Sequence, residues 1–206
     1  MISVFLKSFI IAFSGAAMPG PMFTYTVERS IRHGVGAGLF LALGHASLEL
    51  ILVILLFVGV GKYLAHDLAG TIIGLVGGLV LIYLGFGMIK EVYLNKISLD
   101  TAGGQNHKQG NVLLAGVVLS VTNPYFIIWW TAVGLTLIMD AYNSFGFIGI
   151  VLFYIGHILA DITWFTFVSA LVSRTRHLIN IKIYKVIIFC LGLCLIGFGI
   201  SFLFGA

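Results

Sequence analysis

Gly44-His45-Ala46-Ser47-Leu48-Glu49 and Gly156-His157-Ile158-Leu159-Ala160-Asp161 carry one pattern: glycine, histidine, three residues, then a carboxylate. Each copy lies near the centre of a long apolar run. A carboxylate at the middle of a bilayer is costly, so by default it marks function. Two of them, at equivalent places in two halves of one chain, predict a transporter built from an internal repeat with its site at the membrane midplane.

The rest of the chain agrees with a membrane setting. It is 60% hydrophobic and 9% charged, and its mean hydropathy is +1.14. Soluble domains carry roughly 25% charged residues. A spanning helix needs ~20 mostly apolar residues, and six stretches qualify: 4–27, 35–61, 68–89, 112–138, 145–172 and 184–204. The expected fold class is an all-α polytopic membrane protein of six transmembrane helices. The loops after the first, third and fifth helices hold Arg29, Arg32, Lys90, Lys96, Lys108, Arg174, Arg176, Lys182 and Lys185, against Lys7 and Lys62 on the other side. That imbalance predicts odd-numbered loops in the cytoplasm and both termini outside, in a multi-pass cell (inner) membrane protein in contact with lipid. Lys7 before an apolar run resembles the start of a signal peptide, but the run continues through Pro19-Gly20-Pro21, which reads as an interrupted helix rather than a cleavage site.

Residues 95–111 form the one low-hydropathy segment, polar and glycine-rich, and read as a flexible cytoplasmic linker. The expected division is therefore 1–94, a first three-helix repeat, and 112–206, a second. Three helices per half invert the orientation of the second half, so the repeat is 3+3 and inverted. The first and fourth helices each carry a proline break, Pro19-Gly20-Pro21 and Asn123-Pro124. The third helices carry glycines for close packing: Gly70, Gly74 and Gly78 every four residues, and Gly192 and Gly199 spaced by seven. Residues i and i+4 share a helix face. His45 then lies one turn to the cytoplasmic side of Glu49, and His157 one turn to the outer side of Asp161, as inversion requires.

Several of these residues can carry chemistry. Each proline removes a backbone donor and disrupts the preceding turn, so in hydrocarbon the freed backbone must face protein or a water-filled cavity. Where the helix restarts after Pro21, the amides of Phe23 and Thr24 offer donors and a positive dipole end to an anion such as a substrate carboxylate. Asn123 brings two donors and an acceptor to the second break, or else caps its own freed carbonyls. Burial disfavours the charged form of a carboxyl, which makes Glu49 and Asp161 candidate proton carriers as well as substrate contacts. His45 and His157 read as relay partners, as packed core residues, or as metal ligands one turn from an acid. Trp129, Trp130 and Trp164 read as packing or interface anchors, with Trp164 placed to wall the site. Glu28 beside Arg29 and Arg32 reads as an interfacial ion pair, and Cys190 and Cys194 as small core residues.

Other classes fit less well. No Gly-x-x-x-x-Gly-Lys-Ser/Thr occurs, which speaks against ATP-driven transport by this chain alone, and no His-Glu-x-x-His occurs, which speaks against a membrane metalloenzyme. The basic residues are scattered without aromatic interleaving, so no nucleic-acid partner is expected. The expectation is no enzyme, no cofactor and no resident metal. The rival transporter reading is a divalent metal cation exporter using the His/carboxylate pairs.

Pro19-Gly20-Pro21, then Arg29-Ser30, Gly34, Gly38, Gly44 and Glu49, resemble the first half of the LysE/RhtB family of amino-acid exporters. Asn123-Pro124 and Asp161 with Trp164 are similar to that family's second-half Asn-Pro and Asp-x-x-Trp patterns. Two departures stand out: the second-helix acid is Glu49 after Leu48 rather than an aspartate, and the paired histidines lie outside the pattern. The resemblance implies a secondary active transporter exporting amino acids or close derivatives by proton antiport, with substrate-binding residues Pro19, Gly20, Pro21, Phe23, Thr24, Glu49, Asn123, Pro124 and Asp161. Glu49, Asp161, His45 and His157 would couple the proton. It is compatible with a homodimer.

Overall fold

The computed structural model describes residues 1–18, 20–59, 67–94, 109–175, 178 and 180–205, and every regular element among them is helical. The order is α1 (Ile2–Ala16), α2 (Pro21–His33), α3 (Gly36–Phe57), α4 (Asp67–Tyr93), α5 (Gln109–Val121), α6 (Pro124–Trp129), a π turn (Trp130–Gly134), α7 (Leu135–Thr175) and α8 (Ile181–Gly205). Pro19 and residues 95–108 of the expected linker lie outside the described residues.

Helices α1 and α2 meet at 82°. Pro21 is the first residue of α2, a position where the missing N–H costs nothing and the fixed φ suits the helix. The sequence places the end of this segment near residue 27, but the helix runs to His33. Arg32 and His33 in its last turn complement the negative dipole end, and Gly34, at φ 80°, stops it. A second difference lies at 139–144, expected as a loop. The helix continues through Asp140, Asn143 and Ser144 and reverses only at Phe145 (φ −146°) and Gly146 (φ 60°, ψ −145°). Glycine alone adopts that conformation readily. Residues 124–175 would reach roughly 78 Å if straight, far beyond the ~30 Å hydrocarbon core. The reversal folds the run on itself, so closely that a Cβ on Gly149 would strike the Ala141 carbonyl.

The runs Gly36–Phe57, Pro124–Thr175 and Ile181–Phe204 are each long and apolar enough to cross a bilayer, and α1 with α2 qualifies as a fourth, bent span. Large apolar side chains such as Ile51, Ile54, Leu79, Phe147 and Phe204 face outward, a surface that lipid solvates. Cys190 and Cys194, expected in the core, are exposed on this outer surface and unbridged.

The helices approach through glycines. A Cβ on Gly78 would meet the Gly199 carbonyl at 2.7 Å, and one on Gly85 the Gly192 carbonyl at 2.5 Å. These two pairs make α4 and α8 antiparallel partners. Gly44 lies against Leu113, Gly116 against Leu41, Gly38 against Phe165 and Gly156 against Phe5. So α3 is seated on α5 and α7, and α7 also on α1. One apolar core joins α2, α3, α4, α5 and α8 around Leu41, Leu81, Leu119 and Leu195. Another joins α3, α6 and α7 around Leu56, Trp130, Ile138 and Phe153.

Charges gather at two ends. Lys7 pairs with Asp140 at 2.7 Å near the reversal in α7. At the other end Glu28 pairs with Arg29 at 3.1 Å and Arg32 at 2.5 Å, and Arg32 reaches Glu91 on α4 at 2.6 Å. Lys7 and Asp140 are each about half exposed, with side chains at 53% and 52%. Such a pair contributes at most about 1 kcal/mol. Lys7→Ala is therefore expected to shift stability by less than about 1 kcal/mol, as read by thermal unfolding in detergent, whereas Arg32→Ala, which breaks contacts to the buried Glu28, should cost more.

Candidate functional site

The two Gly-His-x-x-x-acid elements face each other across α3 and α7. Oε1 of Glu49 accepts from His45 Nε2 at 3.0 Å, one turn away on its own helix, and from His157 Nε2 at 3.2 Å on α7. Gly38 brings α3 onto α7 at Phe165, while Gly44 seats α3 on α5 and Gly156 seats α7 on α1. Glu49 and Asp161 are buried, at 1% and 2% exposure. His157 Nε2 lies 3.6 Å from Asp161 Oδ2, beyond hydrogen-bond reach. Glu49 Oε2, Asp161 Oδ2 and His157 Nδ1 are buried with no hydrogen-bond partner among the described residues.

The two histidines differ in their surroundings. His45 Nδ1 lies 2.6 Å from Ser120 Oγ on α5, and that hydroxyl also lies 2.6 Å from the Gly116 carbonyl. A hydroxyl has one proton to give. Spent on Gly116, it makes His45 a donor at both ring nitrogens. Spent on His45 Nδ1, it leaves a neutral ring whose Nε2–H still donates to Glu49. The Ser120–His45–Glu49 chain thus holds one proton more or one fewer without moving a heavy atom. His157 has no such partner. Three rings surround it: Trp130 at 4.8 Å, Trp129 at 5.1 Å and Phe153 at 5.8 Å between centroids.

A cavity of about 380 Å³ opens beside the cluster, within the bend between α1 and α2. His45, His157 and Asp161 form part of its wall, as do Gly20, Pro21, Met22 and Phe23 at the start of α2. Asn123 and Tyr125 flank the second break, and Phe126, Trp129, Trp130, Phe165, Phe198 and Phe202 supply aromatic surface. Glu49 is off this wall, behind the histidines. So the two acids, equivalent in sequence, are placed differently: Asp161 faces the cavity and Glu49 holds the imidazoles.

The other sequence candidates divide in the same way. Gly20, Pro21, Phe23 and Asn123 reach the cavity; Thr24 and Pro124 do not line it. The Thr24 amide makes the first intrahelical bond, to the Gly20 carbonyl at 3.0 Å. Met22 and Phe23 precede that bond, at helix positions whose amides have no partner within their own helix. The Asn123 Oδ1 accepts from the Tyr125 amide at 3.1 Å and so caps α6. Trp164 lies off the cavity against Phe13 and Phe167. Trp129 and Trp130, read as anchors, line it. The π turn rotates Trp130 inward, and Gly134 leaves room for its ring; π turns recur at functional sites. Ser120 was missed as well, although a lone serine one turn before Asn123-Pro124 in an apolar run was a signal.

One set among the described residues is close enough to share a cation: donor atoms of His45, Glu49 and Asp161 lie within 4.8 Å of one another. A metal there would have to replace the proton shared by His45 Nε2 and Glu49 Oε1, which lie 3.0 Å apart.

Residues 13–205 match the LysE type translocator family. Among curated relatives, the chemotactic transduction protein ChpE of Pseudomonas aeruginosa is 23% identical over 197 residues, 96% of each chain. YcgF of Bacillus subtilis, assigned provisionally as an amino acid efflux protein, is 20% identical over 200 residues, 97% of this chain and 95% of its own. A leucine efflux protein of an Enterobacter species is 29% identical over 122 residues, 59% of this chain and 57% of its own. No solved structure matches. With the family match running across nearly the whole chain, over helices, breaks and buried acids alike, the protein belongs to the LysE type translocators.

Proposed function

We propose that this protein is a secondary transporter that exports amino acids or close derivatives from the cytoplasm, with proton antiport as its driving reaction. The observation that carries the reading is Asp161, a buried carboxylate with an unpartnered oxygen on the wall of a cavity that also holds the start of α2. An amino acid has an ammonium for the first and a carboxylate for the second. The Ser120–His45–Glu49 chain, able to hold a variable proton, supplies the coupling element. The names of YcgF and the leucine efflux protein favour amino acids over metal as cargo.

The architecture we assign is six spans in a 3+3 inverted repeat, 1–94 and 112–206, in the inner membrane with both termini outside. Three contacts support it. Gly44 of α3 meets α5 as Gly156 of α7 meets α1, and α4 meets α8 through glycine pairs read in opposite directions. The Lys7–Asp140 pair and the Glu28–Arg32–Glu91 group lie at opposite ends, with the arginines at the end assigned to the cytoplasm.

The test is export from an exporter-deficient strain loaded with dipeptides. Release of free amino acids above the empty-vector control is expected, and an uncoupler that collapses the proton gradient should suppress it. No release of any amino acid, with the protein verified in the membrane, would overturn the reading. Export of zinc or manganese in its place would put the rival metal reading in its stead.

A further inference from the structure

The cavity wall also specifies a side chain, and this assignment rests on the amino-acid export reading above. Among the described residues Asp161 is the one carboxylate on the wall; Glu49 lies behind it, engaged by both histidines. One carboxylate can serve one ammonium. A second, on the side chain of a lysine or ornithine, would be buried without a counter-charge, which is strongly unfavourable. Among the described residues no lysine or arginine lines the cavity, and the two imidazoles on its wall are already engaged by Glu49, so a side-chain carboxylate would lack a free counter-charge. The remaining wall is mostly apolar, with aromatic rings set among aliphatic side chains such as Met18, Met22, Ile128 and Val133. Tyr125 and Phe202 stand edge to face with centroids 5.5 Å apart, Trp129 and Trp130 likewise at 5.5 Å, and Phe198 and Phe165 complete the surface. Edge-to-face geometry is what a further ring adds to favourably. The volume of about 380 Å³ falls in the range of small-molecule sites, ~300–1,000 Å³.

We propose that the cargo of this site is an amino acid with a large apolar side chain, aromatic above all, its ammonium on Asp161 and its side chain among Tyr125, Trp129, Phe198 and Phe202. Basic, acidic and small amino acids are poor ligands. Burying such a side chain rather than glycine's hydrogen is worth about tenfold or more in affinity.

Isothermal titration of the whole detergent-purified protein tests this with L-tryptophan, L-phenylalanine, L-leucine, L-alanine, L-lysine and L-glutamate as probes, and with indole-3-propionate, which keeps the ring and carboxylate but lacks the ammonium. Tryptophan and phenylalanine are expected to bind at least about tenfold more tightly than alanine, lysine or glutamate, and indole-3-propionate to bind weakly. Phe202→Ala should erase most of the preference for phenylalanine over alanine, and Phe202→Leu should restore part of it. Preference for lysine, glutamate or alanine in the wild-type protein overturns the proposal and leaves amino-acid export standing. Binding of indole-3-propionate as tight as tryptophan overturns the ammonium assignment. If no amino acid binds, the side-chain proposal falls; the export reading falls with it only where dipeptide-loaded cells also release nothing.

Discussion

Asp161→Asn is expected to abolish export while leaving the protein folded. Asparagine keeps the shape of the side chain and its capacity to hydrogen-bond, so the packing of α7 against α1 and α3 is preserved. What is lost is the charge. A substrate ammonium entering the cavity would exchange water for a neutral amide, and removing one partner of a buried ion pair costs about 3–5 kcal/mol. That corresponds to a loss of at least about a hundredfold in export, read in dipeptide-loaded cells, with a melting temperature in detergent close to wild type. Glu49→Gln should behave differently. Glu49 Oε1 receives hydrogen bonds from two imidazoles; glutamine can still turn its oxygen to both, but it removes the negative charge that favours a protonated ring there and places an NH2 donor where the unpartnered Oε2 was. Both export and stability should therefore fall. An Asp161→Asn protein exporting at the wild-type rate would sink the ammonium role of that residue.

The second large effect concerns packing. Gly44→Ala and Gly116→Ala are each expected to destabilise the protein by about 1–3 kcal/mol or more, the usual cost of overpacking. At Gly44 the new methyl would press on the Leu113 carbonyl, with the Leu113 Cα at 3.2 Å; at Gly116 it would press on the Leu41 carbonyl, with the His45 amide at 3.0 Å. These obstacles are backbone, so no side chain can turn aside. Helices α3 and α5 must part, and Ser120, one turn from Gly116, is drawn away from His45. Export should drop together with stability. The two substitutions strain one interface, so their costs should not add. Gly87→Ala and Gly197→Ala are the controls: a Cβ at either meets nothing within 4 Å. They should leave the melting temperature unchanged or raise it slightly, since alanine has the higher helix propensity. If Gly44→Ala melts with those controls, the close approach of α3 and α5 is wrong.

Much of this was legible because helical spacing and membrane cost are both simple rules. The i, i+4 relation put each histidine beside its acid, and the price of burying charge marked Glu49 and Asp161 as special. The inequality between the two acids was not legible. It comes from residues distant in sequence, Ser120 opposite His45 and Trp129 with Trp130 around His157, and a repeated motif conceals such differences. Trp129 and Trp130 read as packing or interface anchors from residue type alone, and the π turn at Trp130–Gly134 has no period to detect. The glycine spacing on α4 was read as every four residues, Gly70, Gly74 and Gly78. Among the glycines whose surroundings are described, the pairing is Gly78 and Gly85 with Gly199 and Gly192, a spacing of seven that matches the last helix once both are compared; the surroundings of Gly70 and Gly74 lie outside the description. The helix over 139–144 was hidden by its polar residues, Asp140, Asn143 and Ser144, which sit where a loop would also place them.

The pairing of α4 with α8 has a consequence for how the protein is made. The ribosome finishes α4 about a hundred residues before it finishes α8, yet each is the other's glycine-faced partner. Likewise α3 waits for α5 and α7, and α1 for α7. The early helices must therefore reside in the bilayer with their small-residue faces open, covered only by lipid, until the end of the chain is synthesised. Insertion and assembly become separate events in time, and the nascent first half is a set of lodged helices awaiting partners rather than a finished module.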